Sequence, residues 1–442
     1  MSSVNLIFLL VISNSPPVIS SEVEKSNSTN VNNNPYFCNM EFPEFILAHD
    51  ADDPAALALS RSRYASDVED FELALSTLEV RRKLRTKVPE WYAVPSLRYP
   101  LRLAGEQCSS SETAFYKASL VRSMKVADLT GGLGVDAWAF SKVAPAVLYN
   151  EMNPALAAAA RHNFKELGAS GIIVTNYTAG ETPLREILGS FEPDVIFLDP
   201  ARRGEGGRKV FLLEDCSPDV SALLPELYDV CAHILLKLSP MADITMLGTR
   251  LPGLKHVHVV EADGECKELL LWLERGWEGG YDITVFACGK TFTFTPEEEA
   301  SATIELVDGG FSGGLDMPGA GVLFEPGKAL LKSGAFKLPC SRFGLRKLGY
   351  NTHLYVSASV VPELDAFGKW FTVRQVLPFG GKSMKQFKGL RADVTSRGLP
   401  LTSEELRKRC GVLPGDGTVH IFGATTVHGP LLILCERTTS AA

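Results

Sequence analysis

The chain has 442 residues, room for about two to four domains at roughly 150 residues each. Hydrophobic residues make up 45% and charged residues 22%, which excludes a globally disordered chain and supplies a sizeable core. A net charge of −8 excludes a uniformly basic nucleic-acid binder, although a local basic patch can still take an anion.

At the amino end, LIFLLVI (6–12) has the size of a signal-peptide apolar run. No Lys or Arg precedes it and no A-x-A follows, so secretion is the weaker reading. The run is far short of the ~20 residues of a membrane span, and no membrane partner is expected. SNSTNVNNN (26–34) is a polar tract without packing residues, so 1–39 reads as a disordered leader. Nine cysteines lie from Cys38 to Cys435 without any C-x-x-C. That pattern fits neither a disulfide framework nor a metal site and points to a reducing, cytoplasmic setting.

Residues 40–122 read as helical. Phe71, Leu75, Leu78, Leu84 and Val88 form a broken helical stripe. RRKLRTK (81–87) puts five cations on it, either as a solvated face or as an RNA-backbone contact. Ser109, with Glu112 three residues on, reads as a capping box that starts a helix toward residue 122.

From 123 the pattern alternates. Apolar strands are predicted at 126–129, 146–149, 171–175, 195–198, 234–238, 257–260 and 283–287, most of them separated by helix-length stretches. This is an α/β fold with an open, largely parallel sheet, whose ligands bind at the carboxyl ends of the strands.

The first strand runs into DLTGGLGVDA (128–137), where Gly132, Gly134 and Ala137 fit the dinucleotide-loop pattern. Glu151 follows the second strand, 17 residues beyond Gly134, and can take ribose hydroxyls. NAD shares this geometry, but Asp128 at the strand end would repel its pyrophosphate. S-adenosylmethionine carries a sulfonium and an ammonium and no phosphate, so Asp128 and Asp136 favour it. Helix capping by the two acids is the plain structural reading.

The fourth strand ends in Asp199-Pro200, followed by Arg202 and Arg203. Asp199 can accept a hydrogen bond from a base amine or ring N–H and so orient a nitrogen lone pair. Arg202 can stack on a base or fork onto a phosphate. The alternative is an Asp199–Arg202 or Asp199–Arg203 pair that only stiffens the loop. The next strand ends in LLKLSPMADI (235–244), where Lys237 can hold a phosphate or the Asp199 carboxylate. No cysteine lies there, which disfavours covalent attack on a base carbon. Cys266 would substitute only if it reached the same pocket.

EQCSSSETAFYKA (106–118), DLTGGLGVD (128–136), FLDPARR (197–203), LKLSPMADI (236–244) and GECKELL (264–270) together resemble one bacterial family. It comprises class I S-adenosylmethionine-dependent methyltransferases with a C-terminal THUMP-like or ferredoxin-like region, and the likeness covers about 41–438. Ala201 and Arg202 depart from the (Asp/Asn)-Pro-Pro-aromatic motif of N-methyltransferases. The resemblance implies a Rossmann-like class I methyltransferase sheet over 123–290, after a helical region at 40–122, and an α+β THUMP-like/ferredoxin-like region over 291–442. It implies Gln107, Ser109, Thr113 and Lys117 near the methionine end of the donor, with Asp128, Thr130, Gly132, Gly134 and Asp136 in its loop. Glu151 would meet the ribose, and Asn176 and Thr178 the adenine, although the usual acid is missing there. Asp199, Pro200, Arg202 and Lys237 would face the transferred methyl group.

THUMP domains bind RNA, so the resemblance also implies tRNA or rRNA as partner. LPFGGKSMKQFKGLR (377–391), Arg397 and RKR (407–409) carry eight cations against Asp393, Glu404 and Glu405, a surface able to neutralise phosphates. Phe379 and Phe387 lie among them, placed either to stack bases or to pack in the core. The function expected is methylation of a base nitrogen in RNA by direct transfer. The rivals are a small-molecule or protein methyltransferase and a catalytically silent RNA-binding protein.

Overall fold

The helix Phe71–Lys87 organises the amino-terminal region. Asp70 caps it by accepting the Leu73 N–H at 3.0 Å, and it ends where Pro89 forbids a further turn. The expected stripe is buried, with Phe71, Leu75 and Leu78 in one cluster with Phe45 and Ile46, and Leu84 and Val88 in another with Trp91 and Trp138. The basic run splits. Arg81 is buried, bonded to Asp50 and the Val94 carbonyl and lying over the Tyr92 ring, whereas Lys83 faces outward. The computed structural model describes residues 40–202, 213–307 and 321–438, so the predicted leader at 1–39 lies outside the described residues.

Nine strands form the first sheet. In chain order the strands are β1 (Val126–Asp128), β2 (Val147–Asn150), β3 (Ile173–Thr175) and β4 (Val195–Leu198), then a separate two-residue ribbon of β5 (Ala201–Arg202) and β6 (Cys216–Ser217). The sheet continues with β7 (His233–Leu238), β8 (Leu254–Ala262), β9 (Glu265–Glu274), β10 (Asp282–Ala287) and β11 (Lys290–Phe294). The spatial order is β11-β10-β8-β9-β7-β4-β1-β2-β3. β1 lies parallel between β2 and β4, so the chain reverses direction of travel there and leaves a crevice beyond the strand ends.

All seven predicted strands are present. The sequence pattern missed β9, which runs antiparallel between β7 and β8. Its centre is buried on both faces and shows no period-two alternation. The available signal was Asp263-Gly264, both at positive φ in the two-residue turn of the β8–β9 hairpin.

A second, eight-stranded sheet follows, built from β12 (Val322–Pro326), β13 (Arg346–Gly349), β14 (Thr352–Ser357), β15 (Gly368–Pro378), β16 (Arg391–Arg397), β17 (Leu413–Pro414), β18 (Val419–Thr426) and β19 (Gly429–Arg437). β15 sits at its middle, pairing with β12 on one edge and β19 on the other. The two sheets share one apolar cluster, with Leu269 and Leu271 of β9 joined to Phe324 and Trp370. The helix Lys328–Ser333 bridges them. Glu261 of β8 accepts the Ala329 N–H at 2.9 Å, and Lys332 reaches the Ala242 carbonyl at 2.6 Å.

The helix Ser111–Leu120 is pinned to the first sheet by Tyr116. Its ring stacks on Phe286 at 3.8 Å and its hydroxyl pairs with His258 Nδ1 at 2.8 Å. Burial lowers the His258 pKa to about 4, so the folded chain keeps this imidazole neutral. An unfolded histidine titrates near ~6.5, so the unfolded chain binds the extra proton and stability falls as pH drops from about 6.5 to about 4. Urea midpoints between pH 7 and 4 are expected to fall more steeply for wild type than for His258→Gln, which retains a partner for Tyr116 and lacks the titration.

Candidate functional site

The crevice beyond β1, β2, β4 and β7 opens into a cavity of about 500 Å³. Its floor is the loop after β1, and three glycines shape it for different reasons. At Gly131 a Cβ would stand 2.1 Å from the Tyr149 ring, so the missing side chain is a packing requirement. Gly134 has φ +94° and would press on Phe164, while Gly132 has φ +54° and open space ahead of it. The loop is tied to its neighbours by hydrogen bonds. Glu151 accepts the N–H groups of Gly132 and Asn153, each at 2.8 Å, and Tyr149 donates to the Gly132 carbonyl at 2.6 Å. Thr130 Oγ1 accepts the Asp199 N–H at 2.6 Å and so links the loop to the end of β4.

Behind the cavity wall runs a chain of alternating charges. Lys237 of β7 donates to Asp199 Oδ2 at 2.5 Å and stands 3.9 Å from Glu268 of β9. Glu268 accepts from Lys117 at 2.7 Å, and Lys117 lies 3.2 Å from Asp136. Ser109 closes the end, accepting from Lys117 at 2.9 Å and donating to Asp136 at 2.8 Å. Lys117 is 0% and Glu268 3% exposed. Charges so far from water persist only because each is paired and hydrogen-bonded. Burial opposes the charge on Lys237, but the carboxylates of Asp199, Glu268 and Asp136 outweigh it and hold the pKa above that of an ordinary lysine. Burial lifts the Glu268 carboxyl above its usual range, with Lys117 and Lys237 pulling against it.

Asp128 is buried at the end of β1. One carboxyl oxygen accepts the Thr130 N–H at 3.1 Å and the other has no partner. Burial, and then the Asp136 carboxylate, push its pKa well up. An acid that resists ionising and lacks a partner suits a site that takes a cation.

Among the predicted residues, Gln107, Ser109, Thr130, Gly132, Gly134, Asp136, Glu151, Thr178, Asp199 and Lys237 line the cavity. Lys117 and Asp128 stand behind its wall. Thr113 lines a neighbouring cavity. Asn176 donates to the carbonyls of Glu151 and Met152 at 2.6 and 3.1 Å and so holds the chain after β2 in place, while Tyr177 takes the lining position. Pro200 follows Asp199 directly. Arg202 pairs through β5 with Cys216 of β6, and its side chain and Arg203 lie outside the described residues. Among the described residues Asp199 pairs with Lys237, and it lines the cavity.

One local assignment is corrected. Ser110, and not Ser109, caps the helix Ser111–Leu120, accepting the Thr113 N–H at 3.3 Å. Ser109 is thereby left for the buried charge chain. Glu268 was not singled out by sequence, because its strand was not recognised. Cys108 was missed too. It lines the cavity, but burial raises its thiol pKa, which leaves it a poor nucleophile. Cys266 lies outside the lining, its thiol pushed up to about 12 by burial.

Residues 323–364 match the family model of a ferredoxin-like domain, and 368–437 match that of a THUMP-like domain. Two relatives from Mycobacterium tuberculosis strains CDC 1551 and H37Rv are uncharacterised S-adenosylmethionine-dependent methyltransferases. Each is 23% identical over 309 residues, 69% of this chain and 78% of theirs. A crystal structure from Porphyromonas gingivalis W83, provisionally assigned as a methyltransferase, matches at a TM-score of 0.76 with 31% identity over 90% of this chain and 98% of that one.

Removing one member of the charge chain leaves its partners buried and unpaired. Lys117→Met is expected to lower the unfolding free energy by about 3–5 kcal/mol, read from denaturant midpoints, because Glu268 and Asp136 lose their shared cation.

Proposed function

We propose, for a chain that belongs to the class I S-adenosylmethionine-dependent methyltransferases with a ferredoxin-like and THUMP-like C-terminal region, that the acceptor is a base nitrogen in tRNA or rRNA. The observation that carries this reading is the Asp199 carboxylate at the mouth of β4, lining the donor cavity with one oxygen held by Lys237.

The donor, when bound, supplies an electrophilic methyl group on a positively charged sulfur. The cavity suits it chemically. Among the described residues, Asp136, Glu151 and Asp199 line it with Lys237 as the cation, and the Asp128 oxygen without a partner lies behind. A pyrophosphate would meet repulsion from the same groups, which disfavours NAD. Glu151 spends part of its carboxylate on the Gly132 and Asn153 amides and keeps lone pairs for ribose hydroxyls.

The chain's own work is positioning. With Lys237 fixing Oδ2, Asp199 Oδ1 remains to accept a hydrogen bond from an amine or ring N–H of the base. That contact turns the nitrogen lone pair toward the donor and holds the proton to be released. No cysteine thiolate is required for this chemistry. Asp128, Lys117 and Asn176 act from behind the wall by holding the loop and the helix that line it.

The exposed cations Lys382, Lys385, Lys388, Arg391, Lys408 and Arg409 offer an RNA-backbone surface, in line with the THUMP-like match. Base stacking there is not part of the reading, because Phe387 is 2% exposed in the core and Phe379 packs against the same cluster. Arg397 and Arg407 are held by Glu325 and Glu404. An RNA substrate agrees with the cytoplasmic setting that the cysteine pattern suggests.

Calorimetry is expected to show binding of S-adenosylmethionine and none of NAD. With labelled donor and total RNA, Asp199→Ala is expected to lower transfer by about 10²-fold or more. Undiminished transfer would remove the role given to Asp199, and label entering protein in place of RNA would remove the substrate assignment. Lys382, Lys385 and Lys388 changed together to Gln are expected to reduce the slope of log KM for RNA against log salt by about 2.

A further inference from the structure

A second cavity, of about 800 Å³, adjoins the donor cavity. Gln107, Cys108, Ser109 and Lys237 line both, so these four residues form a common wall. Lys237 in that wall is the residue that grips Asp199. The far side is made by the carboxyl end of the helix Phe71–Lys87, with Lys83, Thr86 and Lys87, and by the β8–β9 hairpin, with Asp263 and Lys267. Neither element belongs to the ferredoxin-like or THUMP-like region.

We infer that this second cavity is the acceptor pocket and that it takes a single nucleotide turned out of an RNA strand. Its base would pass Lys237 to reach Asp199, which lines the donor cavity and not this one, and its flanking phosphates would meet Lys83, Lys87 and Lys267. The inference rests on the RNA reading above and deepens it. The volume falls within the range of about 300–1,000 Å³ usual for small-ligand sites. Acids, lysines, serines and a threonine make up most of the lining, which rejects an apolar guest and suits one with many polar atoms.

The lysines are available for phosphate. Lys83 pairs with Glu106 on the exposed surface, Lys87 bonds the Glu106 carbonyl, and Lys267 stands 3.8 Å from the well-exposed Asp263. Such exposed partners hold a lysine weakly, and a phosphodiester can displace them. A nucleotide must also leave its stack to present a ring nitrogen to Asp199, and the second cavity beside the donor cavity receives it. The basic run at 81–87 thereby divides its labour. Arg81 braces the fold, and Lys83 and Lys87 face the substrate.

The test uses the full chain with Lys83, Lys87 and Lys267 changed together to Gln, and separately Thr86→Trp, which fills the cavity from an exposed helix position. Labelled transfer to total RNA and calorimetric donor binding are both measured. The expected result is a KM for RNA raised about tenfold or more in each variant, with the dissociation constant for S-adenosylmethionine within about twofold of wild type. RNA labelling by wild type and by both variants with equal KM would overturn the acceptor pocket and leave the RNA reading standing. Donor affinity falling in step with KM would also overturn it, since the two cavities would then be one site. A wild-type protein that labels protein or small molecules and no RNA would overturn the RNA reading, and the nucleotide with it.

Discussion

The contact between Lys117 and Glu268 is the constraint on which the site depends. Both side chains are removed from water, so neither charge is tolerable without the other. Each is further committed, Lys117 to Asp136 and Ser109, and Glu268 to Lys237. Meeting these demands together fixes the helix Ser111–Leu120, β7, β9 and the loop after β1 relative to one another. Asp199 is the last member of the series and lines the cavity with its Oδ2 held by Lys237. The placement of the Asp199 carboxylate is thus a consequence of an electrostatic arrangement built well behind it.

The same arrangement explains the sign of the pocket. Two lysines serve Asp136, Asp199 and Glu268, and Glu151 and Asp128 add further acid at the loop. Burial and then the Asp136 carboxylate raise the Asp128 pKa, and the acids lining the cavity favour a cationic guest. Backbone amides absorb part of the Glu151 charge, and a threonine hydroxyl joins the loop to Asp199. A loop so tied cannot relax far when a ligand enters, which is the condition for positioning to contribute to rate.

Much of this was legible in the sequence, for a physical reason. Strands buried on both faces are apolar runs, and the runs at 126–129, 195–198 and 234–238 ended in the polar residues Asp128, Asp199 and the Lys237–Ser239 stretch that build the site. What was hidden depended on neighbours distant in the chain. Glu268 looks like one of several charges in GECKELL until β9 is inserted beside β7. Ser109 and Ser110 are indistinguishable as caps in a run of three serines, and only the position of Asp136 separates their roles. Gly131 is required by the Tyr149 ring beneath it, which no spacing rule reveals. Phe387 sits among cations in sequence and in the core in space, because successive residues of a short 3₁₀ turn point about 120° apart, so that Phe387 turns inward while Lys385 and Lys388 are exposed.

The eight-stranded carboxyl-terminal sheet joins the ferredoxin-like and THUMP-like segments through β15, and its apolar residues continue those of the first sheet. The ferredoxin-like and THUMP-like region is therefore packed directly against the first sheet. A crystal structure with S-adenosylhomocysteine tests the central claim most directly. The account expects the product along the loop after β1, its ribose hydroxyls on Glu151 and its sulfur turned toward an intact Asp199–Lys237 pair. Electron density for the product elsewhere, or a pyrophosphate compound bound in that crevice with Lys237 released from Asp199, would contradict it.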